Sequence, residues 1–435
     1  MPNPSFVKGK EEQLPTTLTF PPMDLLRSAS QFSTAVHYRR LPSPSTPRRP
    51  RFSPVRSSLP FPNYKAKYHR ELEAAIDAVE RACSLCVDVQ RSLFATEGRV
   101  LEKNDETPVT VADFGVQALI SLELSKSFPS IPLVAEEDSG YIRANNLVDA
   151  VVTVVTDKVS ANNKPLEDED VLEAIDRGGK NATVYCTKPA TYWVLDPIDG
   201  TKGFVKGNRA LYVVGLALVV EGEIVLGVMG CPNWVDDISY NSSSNGQGHE
   251  NIMSKFGIVM VSHVGCGTWT RELLDILDRS AKAQDGWTKC IVDRCHSVPK
   301  ARVCTTESQV WEGLPLSALY NATYDPESVG DKEILLLSMC CGSLSKYLMV
   351  ASGRASVYIQ AARDTKILQA WDHAVGIICV HEAGGKVSDW EGMDIDFGAD
   401  QTERRVLYPS GGFLVTNGNI HAQLLEMLAP TSAIA

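Results

Sequence analysis

The stretch Trp193-Val194-Leu195-Asp196-Pro197-Ile198-Asp199-Gly200-Thr201 sets two carboxylates three residues apart at the end of an apolar, β-favouring run. A strand carries Asp196 to its C-terminal edge, and Pro197 turns the backbone there because its φ is fixed. Asp199 then folds back beside Asp196, while Gly200 permits a close backbone approach. Two carboxylates held this close repel each other unless a cation sits between them. Hard oxygen ligands suit Mg²⁺, which keeps several waters and shares its coordination with substrate phosphates. A plain Asp-Pro turn after a strand accounts for D-P-x-D alone equally well.

Three other stretches bear on that choice. Leu133-Val134-Ala135-Glu136-Glu137-Asp138 is a short apolar run ending in three acids. Thr107-Pro108-Val109-Thr110-Val111-Ala112-Asp113 places an acid just as a helical pattern begins, and Ala370-Trp371-Asp372-His373-Ala374 places another at the head of an apolar helix. Each acid stands at an element terminus, where backbone polar groups already point at a site. One such acid reads as a cap or a solvated end; four sites together are hard to explain as caps.

Together these motifs resemble the lithium-sensitive, Mg²⁺-dependent phosphatase superfamily of inositol monophosphatase and fructose 1,6-bisphosphatase, over roughly residues 65 to 428. The resemblance implies an α+β and α/β fold, a layered αβαβα sandwich of two subdomains with the metal site between them. It implies two Mg²⁺ held by Glu136, Asp196, Asp199, Asp372 and the Ile198 carbonyl, with Asp113 and Glu137 supporting a weaker or transient third. Asp113 and Thr201 are then expected to orient the attacking water, and Asp372 to stand on the leaving-group side. His373 reads as structural.

The same resemblance separates branches. Gly140 to Ala190 is a long passage between two of the motifs, with a short helix at Asp170 to Gly178 closed by glycine. Inositol monophosphatases make this passage in far fewer residues, and V-L-x-A-I-D-R-G looks like the 3'(2'),5'-bisphosphate nucleotidase branch. Ser343-Leu344-Ser345-Lys346-Tyr347 matches that branch's S-x-x-K-Y. It implies a small-molecule nucleotide substrate contacted by Gly200, Thr201, Ser343, Lys346 and Asp372. The chain departs from the branch at Cys304 to Gln309, where Ser-Ser-His is usual, and at Gln360 and Gln369, where basic residues are usual; Arg363 and Lys366 lie nearby. Two other functions stay open on these residues: an inositol phosphatase of the same superfamily and a catalytically silent nucleotide sensor.

The elements that position these residues follow from pattern. Tyr64 to Leu93 reads as a helix with Leu72, Ala75, Ile76, Val79 and Ala82 on one face, and Cys83-x-x-Cys86 on it reads as two small buried apolar residues. A helix follows at Phe114 to Phe128. Tyr212 to Val220 and Glu223 to Gly230, split by Glu221-Gly222, predict a hairpin. Beyond it come a strand at Gly257 to Val264, a helix at Arg271 to Leu277, the apolar stretch Ile334 to Met349, a strand at Ala355 to Ile359, a helix at Trp371 to Glu382 and a strand at Gly412 to Thr416. This pattern divides the chain into residues 63–235, an α+β metal-binding subdomain; 236–256, a polar loop; and 257–428, an α/β substrate-recognition subdomain.

At 435 residues the chain exceeds one typical core. A net charge of −11 argues against a nucleic-acid surface, and no apolar run approaches the ~20 residues that span a bilayer. Its eleven cysteines are scattered and form no disulfide framework. Residues 1–62 differ: Met23 to Pro62 holds seven Arg, many Ser and Pro, and one acid, Asp24, the pattern of an organelle transit peptide. Mitochondrion is the favoured destination and plastid the alternative, with Met1 and Met23 both open as starts. The enzyme is expected to be a monomer.

Overall fold

The computed structural model describes residues 59–96, 101–102, 108–159, 166–179, 181–182, 191–207, 210–234, 257–273, 286–306, 335–362, 367–398 and 405–428. The transit-peptide-like residues up to 58, the polar stretch 236–256, residues 307–309, Arg363 and Lys366 lie outside the described residues.

Two short strands, β1 (Leu101–Glu102) and β2 (Pro108–Val109), pair with each other, and two sheets organise the rest. The larger takes its strands in chain order: β3 (Leu133–Ala135), β4 (Tyr192–Asp199), β5 (Val213–Val220), β6 (Glu223–Cys231), β7 (Ile258–His263), β8 (Gly267–Glu272) and β9 (Thr288–Cys290). Its β3 and β4 run parallel, and each later pair is antiparallel. The hairpin between β5 and β6 turns at Glu221 (φ 56°) and Gly222 (φ 86°), the positive-φ pair that matches strand twist in a two-residue loop. The second sheet has the order β11 (Leu335–Met339), β10 (Arg302–Thr306), β12 (Val357–Ala361), β16 (Gly412–Thr416), β14 (Lys386–Ser388). A small pair, β13 (Leu368–Gln369) with β15 (Val406–Leu407), stands apart.

Strand periodicity sorts the side chains into layers. Trp193, Leu195, Val214, Leu216, Leu226 and Val228 leave the large sheet on one face and pack on α1 (His69–Thr96) and α2 (Val111–Ser127). Tyr192, Val194, Val213, Ala217 and Met229 leave it on the other. They meet Leu344 and Leu348 of α7 (Leu344–Ala351) and Val375 and Ile377 of α8 (Ala374–Glu382), with Tyr358 and Phe413 of the second sheet beyond. The far side of that sheet, Val357, Ile359 and Leu414, is covered by Leu424 of α9 (His421–Leu428). The order helix, sheet, helix, sheet, helix is the expected αβαβα sandwich.

Gly215 on β5 is required where α7 presses on the sheet. A Cβ there would stand 2.4 Å from Leu344 Cδ1 and 3.0 Å from Val375 Cγ1. Alanine would overpack this contact at a cost of about 1–3 kcal/mol.

Some expectations need correcting. Arg271 and Glu272 end a strand, not begin a helix, because Thr268, Trp269 and Thr270 pair with Cys290, Lys289 and Thr288 of β9; residues 274–277 lie outside the described residues. Strands β7 to β9 continue the first sheet, so the chain passes to the second only between Cys290 and Arg302, not near residue 257. Among its described residues, the Gly140 to Ala190 passage holds α3 (Ser139–Ala144) and α4 (Val148–Thr156) besides α5 (Asp168–Gly178). Ile334 to Met349 divides into strand and helix at a left-handed turn, Cys341 (φ 48°) and Gly342 (φ 68°), and the helix expected from Trp371 begins only at Ala374. Cys83 and Cys86 are fully buried thiols, and one adjacent pair, Cys340–Cys341, is bridged.

Candidate metal centre

Strand β4 ends in a bulge: Asp196 pairs with Gly215 and Asp199 with Val213, with the register shifted between them. Pro197 lies inside the shift, where its missing N–H costs no ladder bond. The bulge turns both carboxylates to one side, buried at 2% and 4% exposure. Gly200 (φ 89°) then opens the short α6 (Thr201–Lys206).

Asp372 reaches the same place from the turn before α8. One carboxylate oxygen from each of Asp196, Asp199 and Asp372 lies within 4.8 Å of the others. The Asp196 carboxyl is pushed well above the usual carboxylate range by burial, then by the charges of Asp199, Glu136, Asp372 and Asp113. Its Oδ1 is buried and has no hydrogen-bond partner among the described residues. A carboxylate oxygen without a hydrogen-bond partner among the described residues, beside two further carboxylates, fits a hard divalent cation.

Asp199 is held differently. The Ser343 amide donates to its Oδ1 and the Leu344 amide to its Oδ2, each at 2.8 Å. Burial raises its pKa, against the opposing pull of the Ser343 amide, the Lys346 charge and the Leu344 amide. Gly342 is obligatory beside it, since a Cβ there would stand 2.3 Å from Asp199 Oδ2.

Asp113 opens α2 in a capping box: the Thr110 amide and hydroxyl donate to its Oδ2 at 2.8 and 2.7 Å. That leaves Oδ1 facing Thr201, whose Oγ1 lies 3.1 Å from it and 3.1 Å from the Ile198 carbonyl. Glu136 and Glu137 follow β3. Glu136 is half-buried and acts on Asp196 through its charge, whereas the Glu137 backbone is clamped by Gln117: its amide donates to Gln117 Oε1 at 2.8 Å and its carbonyl accepts from Gln117 Nε2 at 2.7 Å.

Of the expected ligand contacts, Gly200, Thr201, Ser343 and Asp372 lie around this cluster. Lys346 lies beside the cluster too, its charge acting on Asp199. Its side chain is fully buried, and Nζ donates to the carbonyls of Cys341, at 3.3 Å, and of Gly342. Being in the first turn of α7, it folds back on the loop before its own helix. His373 is structural, as expected: Nδ1 lies 2.9 Å from the Tyr347 hydroxyl and its ring stacks on Phe413 at 3.8 Å. Sequence reasoning missed the amides of Ser343 and Leu344 and the clamp from Gln117. Backbone amides leave no residue-type signal, and Gln117, four residues after Asp113, was visible only as a polar residue on an apolar helix.

Comparison with known proteins is consistent across sequence and fold. The model of the inositol monophosphatase family matches residues 68–433. A protein of Arabidopsis thaliana provisionally named a mitochondrial 3'(2'),5'-bisphosphate nucleotidase is 58% identical over 410 residues, covering 94% of this chain and 99% of that one. The 3',5'-bisphosphate nucleotidase 2 of the same plant is 31% identical over 369 residues, covering 82% and 96%. Among solved structures, an inositol monophosphatase of Thermotoga maritima superposes with a TM-score of 0.50 at 18% identity, covering 82% of this chain and 96% of that one, a likeness of fold.

Proposed function

The chain belongs to the inositol monophosphatase family, and from that premise we propose that it removes the 3'-phosphate of 3'-phosphoadenosine 5'-phosphate, giving AMP and phosphate. The family is metal-dependent, and the relatives named as 3'(2'),5'-bisphosphate nucleotidases support this choice of substrate. The observation that carries the chemistry is the contact between Thr201 and Asp113 beside the three clustered carboxylates.

Asp196, Asp199, Asp372 and Glu136, with the Ile198 carbonyl, would hold two Mg²⁺, and Asp113 with Glu137 would support a third. Bound there, the ions would neutralise the substrate phosphate and lower the pKa of a coordinated water. The chain's own contribution is positional. Thr201 Oγ1 accepts a hydrogen bond from the attacking water and donates its own proton toward Asp113 Oδ1, so the water proton has a path to a carboxylate. The amides of Ser343 and Leu344 fix Asp199, and the bulge at Pro197 fixes Asp196. As the water oxygen joins phosphorus, the bond to the ribose 3'-oxygen breaks, and that oxygen leaves with a proton from solvent.

A phosphate-release panel on purified protein tests the reading. It includes 3'-phosphoadenosine 5'-phosphate, its 2'-isomer, 3'-phosphoadenylyl sulfate, inositol 1,4-bisphosphate and inositol 1-phosphate. The largest kcat/KM is expected on 3'-phosphoadenosine 5'-phosphate. A preference for inositol phosphates would replace the proposal, and nucleotide binding without turnover would leave a sensor. We also propose import into the mitochondrion through residues 23–62, in line with the name of the 58% identical relative. A fluorescent protein fused behind those residues should enter the organelle, and cytosolic fluorescence would refute it.

A further inference from the structure

We infer that Ser343 is a positioning residue that fastens two metal-binding carboxylates from different elements, Asp199 at the end of β4 and Asp372 in the turn before α8, into one site. The inference rests on the metal-centre reading above and goes beyond the substrate contact expected of this serine.

Ser343 stands in the N-cap position of α7, where a serine ordinarily turns its oxygen onto the helix's own free amides. Here it makes no such bond. Its hydroxyl donates instead to the Asp372 carbonyl at 2.6 Å, the shorter of its two contacts, the other being 3.3 Å to Asp199 Oδ1. The amides of Ser343 and Leu344, at the entrance to α7, donate to Asp199, 144 residues before the serine in the chain. The entrance to α7 is thus bound by a carboxylate from β4, while the serine hydroxyl holds the turn that carries Asp372.

The exchange has a positional consequence. Asp199 is the last residue of β4 in the large sheet, whereas Asp372 lies between β13 and α8, in the chain that builds the other side of the sandwich. Ser343, 7% exposed, touches both. Partners of this kind orient ligand carboxylates before the cation arrives, and their loss lowers metal affinity about 10–100-fold in sites of known geometry. Removing one neutral hydroxyl leaves the amide clamp in place, so the low end of that range applies.

The test is Mg²⁺ titration of the ligand-free, full-length protein by calorimetry, comparing wild type with Ser343→Ala and Ser343→Thr. Ser343→Ala should bind Mg²⁺ about tenfold more weakly. Ser343→Thr, which keeps the hydroxyl, should restore most of the affinity, and circular dichroism should report the same fold in all three. An unchanged Mg²⁺ titration would overturn the inference, as would a threonine variant as weak as the alanine one. The Mg²⁺ titration contains no nucleotide, so it reads independently of whether the proposed substrate is right.

Discussion

Thr201 Oγ1 lies 3.1 Å from Asp113 Oδ1 although 88 residues separate them. Asp113 is fixed from behind by the cap of α2 and Thr201 by the bulge of β4, so two rigid elements meet at the contact proposed to carry a proton away from the attacking water. Thr201→Val and Asp113→Asn should each lower kcat about 10²–10³-fold, the range of a single general-base contribution. The double variant should be little worse than either single, because the two act as one unit. Steady-state kinetics at saturating Mg²⁺ checks this; fully additive losses would mean separate roles.

Asp196 and Asp199 should respond in opposite directions to neutralisation. Asp196→Asn removes a charge whose Oδ1 has no partner among the described residues, and so relieves repulsion. Asp199→Asn turns an amide group toward one of two backbone donors, leaving that donor unsatisfied at about 1–3 kcal/mol. Without Mg²⁺, the melting temperature should rise for Asp196→Asn and fall for Asp199→Asn, while turnover collapses in both. Equal shifts of one sign would contradict this division of labour.

Metal removal should abolish turnover. Ca²⁺ takes more ligands at longer distances than Mg²⁺ and should occupy the cluster without supporting the tight octahedral geometry that attack requires. Activity is therefore expected to vanish in EDTA, return with Mg²⁺, and fall again on adding Ca²⁺. Full activity in EDTA would remove the carboxylate cluster from the chemistry.

Lys346→Met should not discriminate between substrates. Because Nζ is spent on the Cys341 and Gly342 carbonyls, its loss disturbs the loop that carries the Asp199 clamp, whatever phosphate is bound. Losses of about tenfold in kcat/KM are expected to be equal for 3'-phosphoadenosine 5'-phosphate and 3'-AMP. A loss confined to the bisphosphate would show that the lysine swings out to a ligand.

Stability should depend on His421. Burial first, then the nearby Lys386 and His381, lowers its pKa to about 4. The folded state therefore binds this proton less readily than the unfolded chain, whose value is near 6.5. The stability this histidine contributes is present above about pH 6.5 and is lost as pH falls toward about 4. Asp196, with its raised pKa, acts in the opposite sense in the metal-free protein. The informative quantity is thus the difference between wild type and His421→Asn in urea denaturation at pH 7 and pH 4.5. Wild type should lose more stability over that interval than the variant, and parallel losses would exclude the histidine.

Much of this protein was legible in its residues. D-P-I-D-G-T, the acids after Ala135, Asp113 after Thr110, and Trp371-Asp372 each mark a carboxylate at an element end. Period-two and period-3.6 patterns placed most strands and helices, because those patterns report which faces are buried, a local property of the chain. The fate of Arg271 and Glu272 was not legible, since a strand holding Thr-Trp-Thr near a sheet margin is decided by its partners β7 and β9. Nor was the partition of β7 to β9 into the first sheet, which is decided by the pairing of β7 with β6 across the intervening stretch. At the site, sequence named the carboxylates, but only the folded chain decided what holds each one. Asp199 is capped onto α7 by two amides, Asp196 is left orphaned, and Lys346 is turned inward onto carbonyls. The Asp199 cap joins backbone amides to a carboxylate 144 residues away, and the Lys346 contacts are to backbone carbonyls, and residue type carries no trace of either.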